Sequence, residues 1–346
     1  MPRRKGLKWL AAALLAISAA PVLAAQPQPP APARPSPARA PRPAIWLLAD
    51  TDTKIYLFGT YHMLPRGFQW RSPLFDDIAR RADELVVEVS QSDARENMAS
   101  VLGALQLGKQ APVLWRVSPG RRQALREMIE SLGVPIERFD GLQTWTVAMT
   151  LAVAQIERQF SNRTPPDGTG AAPADAGAAP EGTAPELEAG TQDEAPSALA
   201  RQGLQGVETV LEAEFRASNR PISAVETAEQ QLGFLASMPF ALQRRMLEAM
   251  VDVYRKGAFD QEIDIGEDDW AAGNVAAVAA VAGRDMEGPL YEVLLPRRNA
   301  AWTDWLIARL ERPGTLLFAV GAAHLAGPDS VQTMLAARGV TVRRIQ

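Results

Sequence analysis

Cysteine is absent from the 346 residues, and histidine occurs only twice. The first absence excludes disulfides, thiolate metal ligands and a lipid-bearing cysteine behind an export signal, so stability rests on burial alone. Aromatic residues are scarce at 6%, but 47% of the chain is apolar, which is ample for a large core. The net charge of −4 leaves no basic excess, which argues against nucleic acid as a partner. The helical His-Glu-x-x-His pattern of common metallopeptidases is also missing.

One apolar run, "WLAAALLAISAAPVLA", follows Arg3, Arg4, Lys5 and Lys8. It is too short and alanine-rich for a permanent membrane helix. Residues 1–25 therefore read as a secretory signal, with Val22 and Ala24 in the small-residue positions before a cut after Ala24. The expectation is a secreted or periplasmic protein with no stable membrane anchor after cleavage. Residues 26–43, rich in proline and alanine, predict an extended, disordered tether. Residues 44–346 then predict one domain. It is interrupted at 161–203 by a disordered insertion of alanine, proline, glycine and acidic residues.

The domain alternates strands with helices. "AIWLLADTDTKIYLFGT" predicts a hairpin, Ser72-Pro73 opens a helix, and "ELVVEVS" is a short strand ending near Glu88. The middle is largely helical. Ser118-Pro119 opens a helix carrying Leu125, Met128, Ile129 and Leu132 on one face, and Leu242, Met246, Leu247 and Met250 repeat that spacing. "PISAVET", "TLLFAV" and "VTVRRI" add strands, with helices between them. This order predicts an α/β or α+β architecture, a central mixed sheet covered by helices.

Both histidines share one setting. "KIYLFGTYHMLP" and "TLLFAVGAAHLAGP" each run from an apolar strand through Gly-x-x-His to a nearby proline, placing His62 and His324 three residues after Gly59 and Gly321. A glycine there permits a tight turn or a close backbone approach, and the histidine follows on a short loop at the carboxyl edge of the sheet, where α/β proteins bind ligands. Two neutral imidazoles and a carboxylate form a three-ligand metal site with a fourth position open to water, and Glu88 is the best-placed carboxylate. Glu208 in "QGVETVL" and Glu226 in "SAVETAEQQL" are further carboxylates. Arg298 and Asn299 in "LPRRNAAW" are placed to polarise a substrate oxygen or orient a ligand.

"YLFGTYHMLP", "ADELVVEVS", "AVETAEQQL", "RRNAAW" and "FAVGAAHLAGPDSVQTMLAARGVTV" together resemble the TraB/GumN family, to which the Tiki membrane proteases are related. The resemblance implies a metal site of His62, His324 and Glu88 on a fold shared with erythromycin-esterase-like and haem-binding ChaN-like proteins. It also implies metal-dependent peptide cleavage, the activity attributed to the Tiki branch. The family often has aspartate where this chain has Glu208.

Three functions compete on these grounds, the third being a purely structural envelope factor in which both histidines can be changed without effect. The first is a metal-dependent, peptidase-like hydrolase of a peptide or small molecule, using zinc, manganese or cobalt. In it Glu208 or Glu226 is the general base and Arg298 stabilises the oxyanion. The second is an envelope binding protein that captures haem, metal or peptide without turnover.

Overall fold

The computed structural model describes residues 40–62, 64–65, 67–92, 110–161, 204–257, 266–285 and 289–346. The expected signal, residues 1–25, the tether up to residue 39 and the insertion from residue 162 to 203 lie outside the described residues. Where the tether becomes visible it is fastened to the domain. The Arg42 N–H donates to Ala271 O at 2.7 Å, and Gln346 Nε2 donates to Pro43 O at 2.8 Å.

The first strands are β1 (Ile45–Ala49), β2 (Thr53–Thr60), β3 (Leu64–Pro65) and β4 (Glu84–Val87). β5 (Leu204–Gln205), β6 (Ile222–Ala224), β7 (Gly314–Gly321) and β8 (Val342–Arg344) follow. Six of them form one mixed sheet in the order β6-β4-β7-β2-β1-β8, while β3 and β5 pair separately. β6, β4, β7 and β2 run parallel, and β1 is antiparallel to both β2 and β8. The fold is therefore α/β with an antiparallel margin. The edge strands β6 and β8 have only three residues each, which leaves little unpaired backbone open to other chains.

Side chains alternate across the sheet, and both of its faces are covered. Leu316, Phe318 and Val320 of β7 join Ile55, Leu57 and Val86 on one face, while Leu317 and Ala319 join Phe58, Leu85 and Val87 on the other. This double burial explains why the strands read as near-continuous apolar runs. The first face packs Trp302 and Leu306 of a helix from Pro296 to Arg309, and Val331 and Leu335 of another from Val331 to Ala337. The second face packs Phe75 and Ile78 of α1 (Pro73–Arg81) and the helical middle.

That middle comprises α2 (Arg122–Glu130), α3 (Thr144–Ser161), α4 (Val207–Ala217), α5 (Ala228–Ala236) and α6 (Phe240–Arg255). α7 (Glu267–Ala271), α8 (Val275–Asp285) and α9 (Pro289–Leu294) lead into α10 (Pro296–Arg309), and α11 (Val331–Ala337) is the last helix. The expected methionines, Met128, Met246 and Met250, are core filling. Two helix starts differ in their chemistry. Ser72 caps α1 as its sequence predicts, its Oγ accepting the Phe75 N–H at 3.1 Å. Ser118 caps nothing: its N–H donates to Glu248 and its Oγ accepts from Arg121, so a 3-10 turn intervenes and α2 begins at Arg122. No helix among the described residues is long and apolar enough to cross a membrane.

Ser72→Ala removes the only side-chain acceptor at the start of α1 and is expected to lower the unfolding free energy by about 1 kcal/mol, measured as a shift of the urea midpoint at constant slope.

Candidate active site

Four parallel strands deliver the polar residues to one place. In register, Thr60 of β2 lies beside Gly321 of β7, and Val87 of β4 lies between Ala319 of β7 and Ala224 of β6. Each strand then ends with a functional side chain within a few residues: His62, His324, Glu88 and Glu226. The last two are also joined through the backbone, the Glu226 N–H donating to Glu88 O at 2.9 Å. All four sit at the carboxyl edge, where the ladder stops and side chains face one another across the strand ends.

The motif glycines are needed for close approach and not for a left-handed turn. A Cβ on Gly59 would lie 2.9 Å from the Ala322 Cα, where the loop after β7 crosses β2. A Cβ on Gly321 would enter the site itself, 3.0 Å from Glu88 Oε1, 3.5 Å from His62 Nε2 and 3.6 Å from His324 Cδ2. The hydrogen side of Gly321 thus faces the space shared by both imidazoles and the carboxylate.

His62 is oriented by the start of α4. Gly206 approaches so closely that a Cβ there would stand 2.9 Å from His62 O, and the Val207 N–H donates to Tyr61 O at 2.9 Å. The short β3–β5 ladder ties the same two segments together just beyond. Glu208, in the first turn of α4, where a negative charge is favoured, accepts from His62 Nδ1 at 2.9 Å and from the Thr60 hydroxyl. Burial opposes charging of His62, but Glu208 outweighs it and holds the imidazole up at about 9.

His324 is oriented in the same way from the other side. Its Nδ1 donates to Asn299 Oδ1 at 2.6 Å, and Asn299 is in turn fixed by donating to Asp329 O at 2.7 Å. Burial is the largest influence on this ring, which is 4% exposed, and its pKa falls to about 3, so it is neutral with its lone pair on Nε2. The Trp302 ring packs against it at 4.3 Å between centroids.

Arg298, 3% exposed in the first turn of α10, binds the remaining groups. Its Nε donates to Glu226 Oε1 and Oε2 at 2.9 and 3.1 Å, and Nη2 donates to Glu88 Oε2 at 2.7 Å and Glu226 Oε2 at 2.8 Å. Nη1 donates to Leu294 O at 3.3 Å and meets His324 Nε2 at 3.1 Å. Burial opposes ionisation of Glu88, yet Arg298, the two histidines and the Gly321 N–H at 2.7 Å bring its carboxyl down to about 2. Glu226 is pushed upward by burial, against Arg298. Both its oxygens accept N–H bonds, including Trp302 Nε1 at 2.9 Å, and this acceptor-only pattern belongs to the carboxylate form.

The seven residues singled out in the sequence therefore come together, and the geometry bears on the roles expected of two. Arg298 was expected to stabilise an oxyanion. All five of its N–H donors are already engaged inside the protein, so it is the hub of a buried network. Glu226 was expected as a general base, and its oxygens are instead clamped by Arg298 and Trp302. Sequence reasoning missed Thr60, Gln231, whose Nε2 reaches Glu88 Oε2 at 3.3 Å, and Trp302. Trp302 was legible in principle, as the aromatic one helical turn after Arg298.

Each imidazole gives its Nδ1–H to an oxygen acceptor; His62 Nε2 borders the space beside Gly321 and Glu88 Oε1, which His324 meets with Cδ2, while His324 Nε2 lies 3.6 Å from Glu88 Oε1. Among the described residues no group of three or more His, Asp or Glu side chains is placed to hold a metal ion. Arg298 Nη1 stands at the His324 lone pair.

Fold and site together define an α/β protein with a buried His-His-Glu-Arg constellation at the carboxyl edge of its parallel strands. The sequence model of the TraB/PrgY/gumN family matches residues 44–167 and 172–344, and the chain belongs to that family. It is similar to the uncharacterized protein YbaP of Escherichia coli (strain K12), 21% identical over 296 residues that cover 85% of this chain and 92% of YbaP. The protein of the same name from Shigella flexneri matches with the same identity and coverage. No solved structure matches.

Arg298→Gln strands two buried carboxylates and is expected to lower the unfolding free energy by about 3–5 kcal/mol. Combining it with Glu226→Gln should lose less, because the carboxylate that takes both Nε and Nη2 of the arginine is then neutral too. Urea denaturation of the two variants checks this, and equal losses would show that the pair is not energetically coupled.

Proposed function

We propose that this chain is an exported metal-dependent hydrolase, peptidase-like, whose site is built from His62, His324 and Glu88. One observation carries the reading: both imidazoles are held through Nδ1, by Glu208 and by Asn299, and both flank Glu88 Oε1, His62 with Nε2 across the space beside Gly321 and His324 with Nε2 3.6 Å from that oxygen. Zinc, manganese or cobalt suits two imidazoles and a carboxylate. Such an ion, when bound, supplies Lewis acidity, bringing the pKa of its water from about 16 toward about 7 and polarising the scissile carbonyl.

The remaining work falls to the chain. His62 and His324 present Nε2, and His62 gives up its proton there when the ligand set closes. Glu88 presents Oε1 while its other oxygen stays with Arg298 and Gln231. Of the two carboxylates considered as general base, Glu208 has the more exposed side chain, 14% against 6% for Glu226, so Glu208 accepts the proton of the attacking water. Glu226 fixes Arg298, and Arg298 holds Glu88 ionised. The motif resemblance puts peptides first among substrates. Export rests on the basic, then apolar, N-terminal residues. Haem capture suits the site less well, because His324 is buried against the Trp302 ring and offers no face to a porphyrin.

The mature chain, residues 26–346, is expected to carry about one divalent ion after reconstitution, measured by elemental analysis. His62→Ala and His324→Ala should lose that ion together with metal-dependent cleavage of a peptide library. Retention of metal by both variants would remove the reading. Asn299→Ala should weaken metal affinity by about 10- to 100-fold without abolishing binding, the expected effect of losing an orienting partner, with chelator competition as the measure.

A further inference from the structure

His324 has one lone pair to give. Its Nδ1 is spent on Asn299 Oδ1 at 2.6 Å, so every other partner must come through Nε2, and Arg298 Nη1 is already there at 3.1 Å. Arg298 also holds Glu88 Oε2 at 2.7 Å. One guanidinium thus engages two of the three side chains of the metal reading. It is not there by default: Glu226 grips it through Nε and Nη2, Trp302 Nε1 pins Glu226, and the Trp302 ring lies 4.8 Å from the guanidinium carbon.

We propose that Arg298 is a built-in competitor of the metal ion, a tethered cation that holds the His324 lone pair when no metal is bound and thereby sets the affinity of the site. The proposal rests on the metal-site reading above. A single imidazole lone pair accepts one partner, so Nη1 and a metal exclude each other at His324 Nε2. Ion entry requires Nη1 to withdraw. Because the guanidinium is planar and rigid, Nη1 withdraws only as the whole group tilts, and the contacts of Nε and Nη2 with Glu226 and Glu88 adjust with it. Arg298 is on this account an affinity-determining residue and not a catalytic one.

The test is zinc binding by wild type and by the double variant Glu226→Gln/Arg298→Gln, read by competition with a chromophoric chelator and, for cobalt, by visible absorption. The double variant removes the guanidinium and its main counter-charge together. Glu88 keeps the Gly321 N–H and Gln231 Nε2, and His324 keeps Asn299, so the site stays hydrogen-bonded and circular dichroism checks the fold. One hydrogen bond from a charged donor, once removed, is expected to tighten zinc by about tenfold or more, and adding His324→Ala to the double variant should abolish that gain. Zinc bound equally or more weakly by the folded double variant, with one histidine-dependent ion in wild type, would overturn the competitor role and leave the metal site standing. Failure of both proteins to bind any ion would overturn the metal reading itself, and the inference with it.

Discussion

Glu88 and Glu226 leave neighbouring parallel strands side by side and under cover, and two carboxylates so placed repel each other and resist ionisation. Arg298 resolves both problems at once. Its planar fork reaches Glu226 through two nitrogens and Glu88 through a third contact, geometry that a lysine ammonium would not reproduce. The rest of the site depends on this contact. Glu88 is kept ionised with Oε1 turned to Gly321, and Nη1 is carried to His324. Removing the arginine would leave charge buried without a partner, one of the most costly changes available to a folded chain.

Strand register explains why residues so far apart in sequence converge. A parallel ladder brings all its carboxyl ends to one edge, and the crossovers required between parallel strands place their helices on the faces of the sheet. The edge is thus free for function. Two of those helices return polar groups to it, α4 with Glu208 and α10 with Arg298 and Asn299. The matching Gly-x-x-His motifs follow from this geometry. At Gly59 the glycine lets the loop after β7 cross, and at Gly321 it leaves open the space the side chains share.

The legible parts of the molecule were those governed by local rules. Apolar runs ending in glycine marked the strands, Ser72-Pro73 marked a helix start, and histidines at strand ends marked the edge that carries the site. Ser118-Pro119 opens a helical run as its sequence predicts, a 3-10 turn from Pro119 and then α2 from Arg122, but the Ser118 Oγ is taken by Arg121 and its N–H by the distant Glu248, a contact invisible to local chemistry. The roles of Glu226 and Arg298 failed for the same reason. Sequence shows that an arginine is available, but whether its five donors are free depends on residues 72 and 210 positions away in the chain. Asn299 was noticed as a neighbour of Arg298, whereas its partner, His324 Nδ1, could be assigned only once α10 was seen packed over β7.

An internally satisfied site separates folding from ligand binding. In small structural zinc domains the unfolded chain meets the metal and the binding energy is the folding energy. Here the opposite logic holds. Glu88 and Glu226 share the single charge of Arg298, Glu208 pairs with His62, and His324 is held uncharged, so most of the cluster's polar atoms are engaged within the chain. The sheet and its two covered faces can then fold on apolar burial alone, as a chain without cysteine requires. What the buried network adds is preorganisation: side chains fixed by partners that need not move when a reacting group enters. The exception is Nη1 of Arg298, the one donor shared between a backbone carbonyl and a side chain of the site. On the competitor proposal, a tilt of the whole guanidinium against Glu226 changes what His324 can bind.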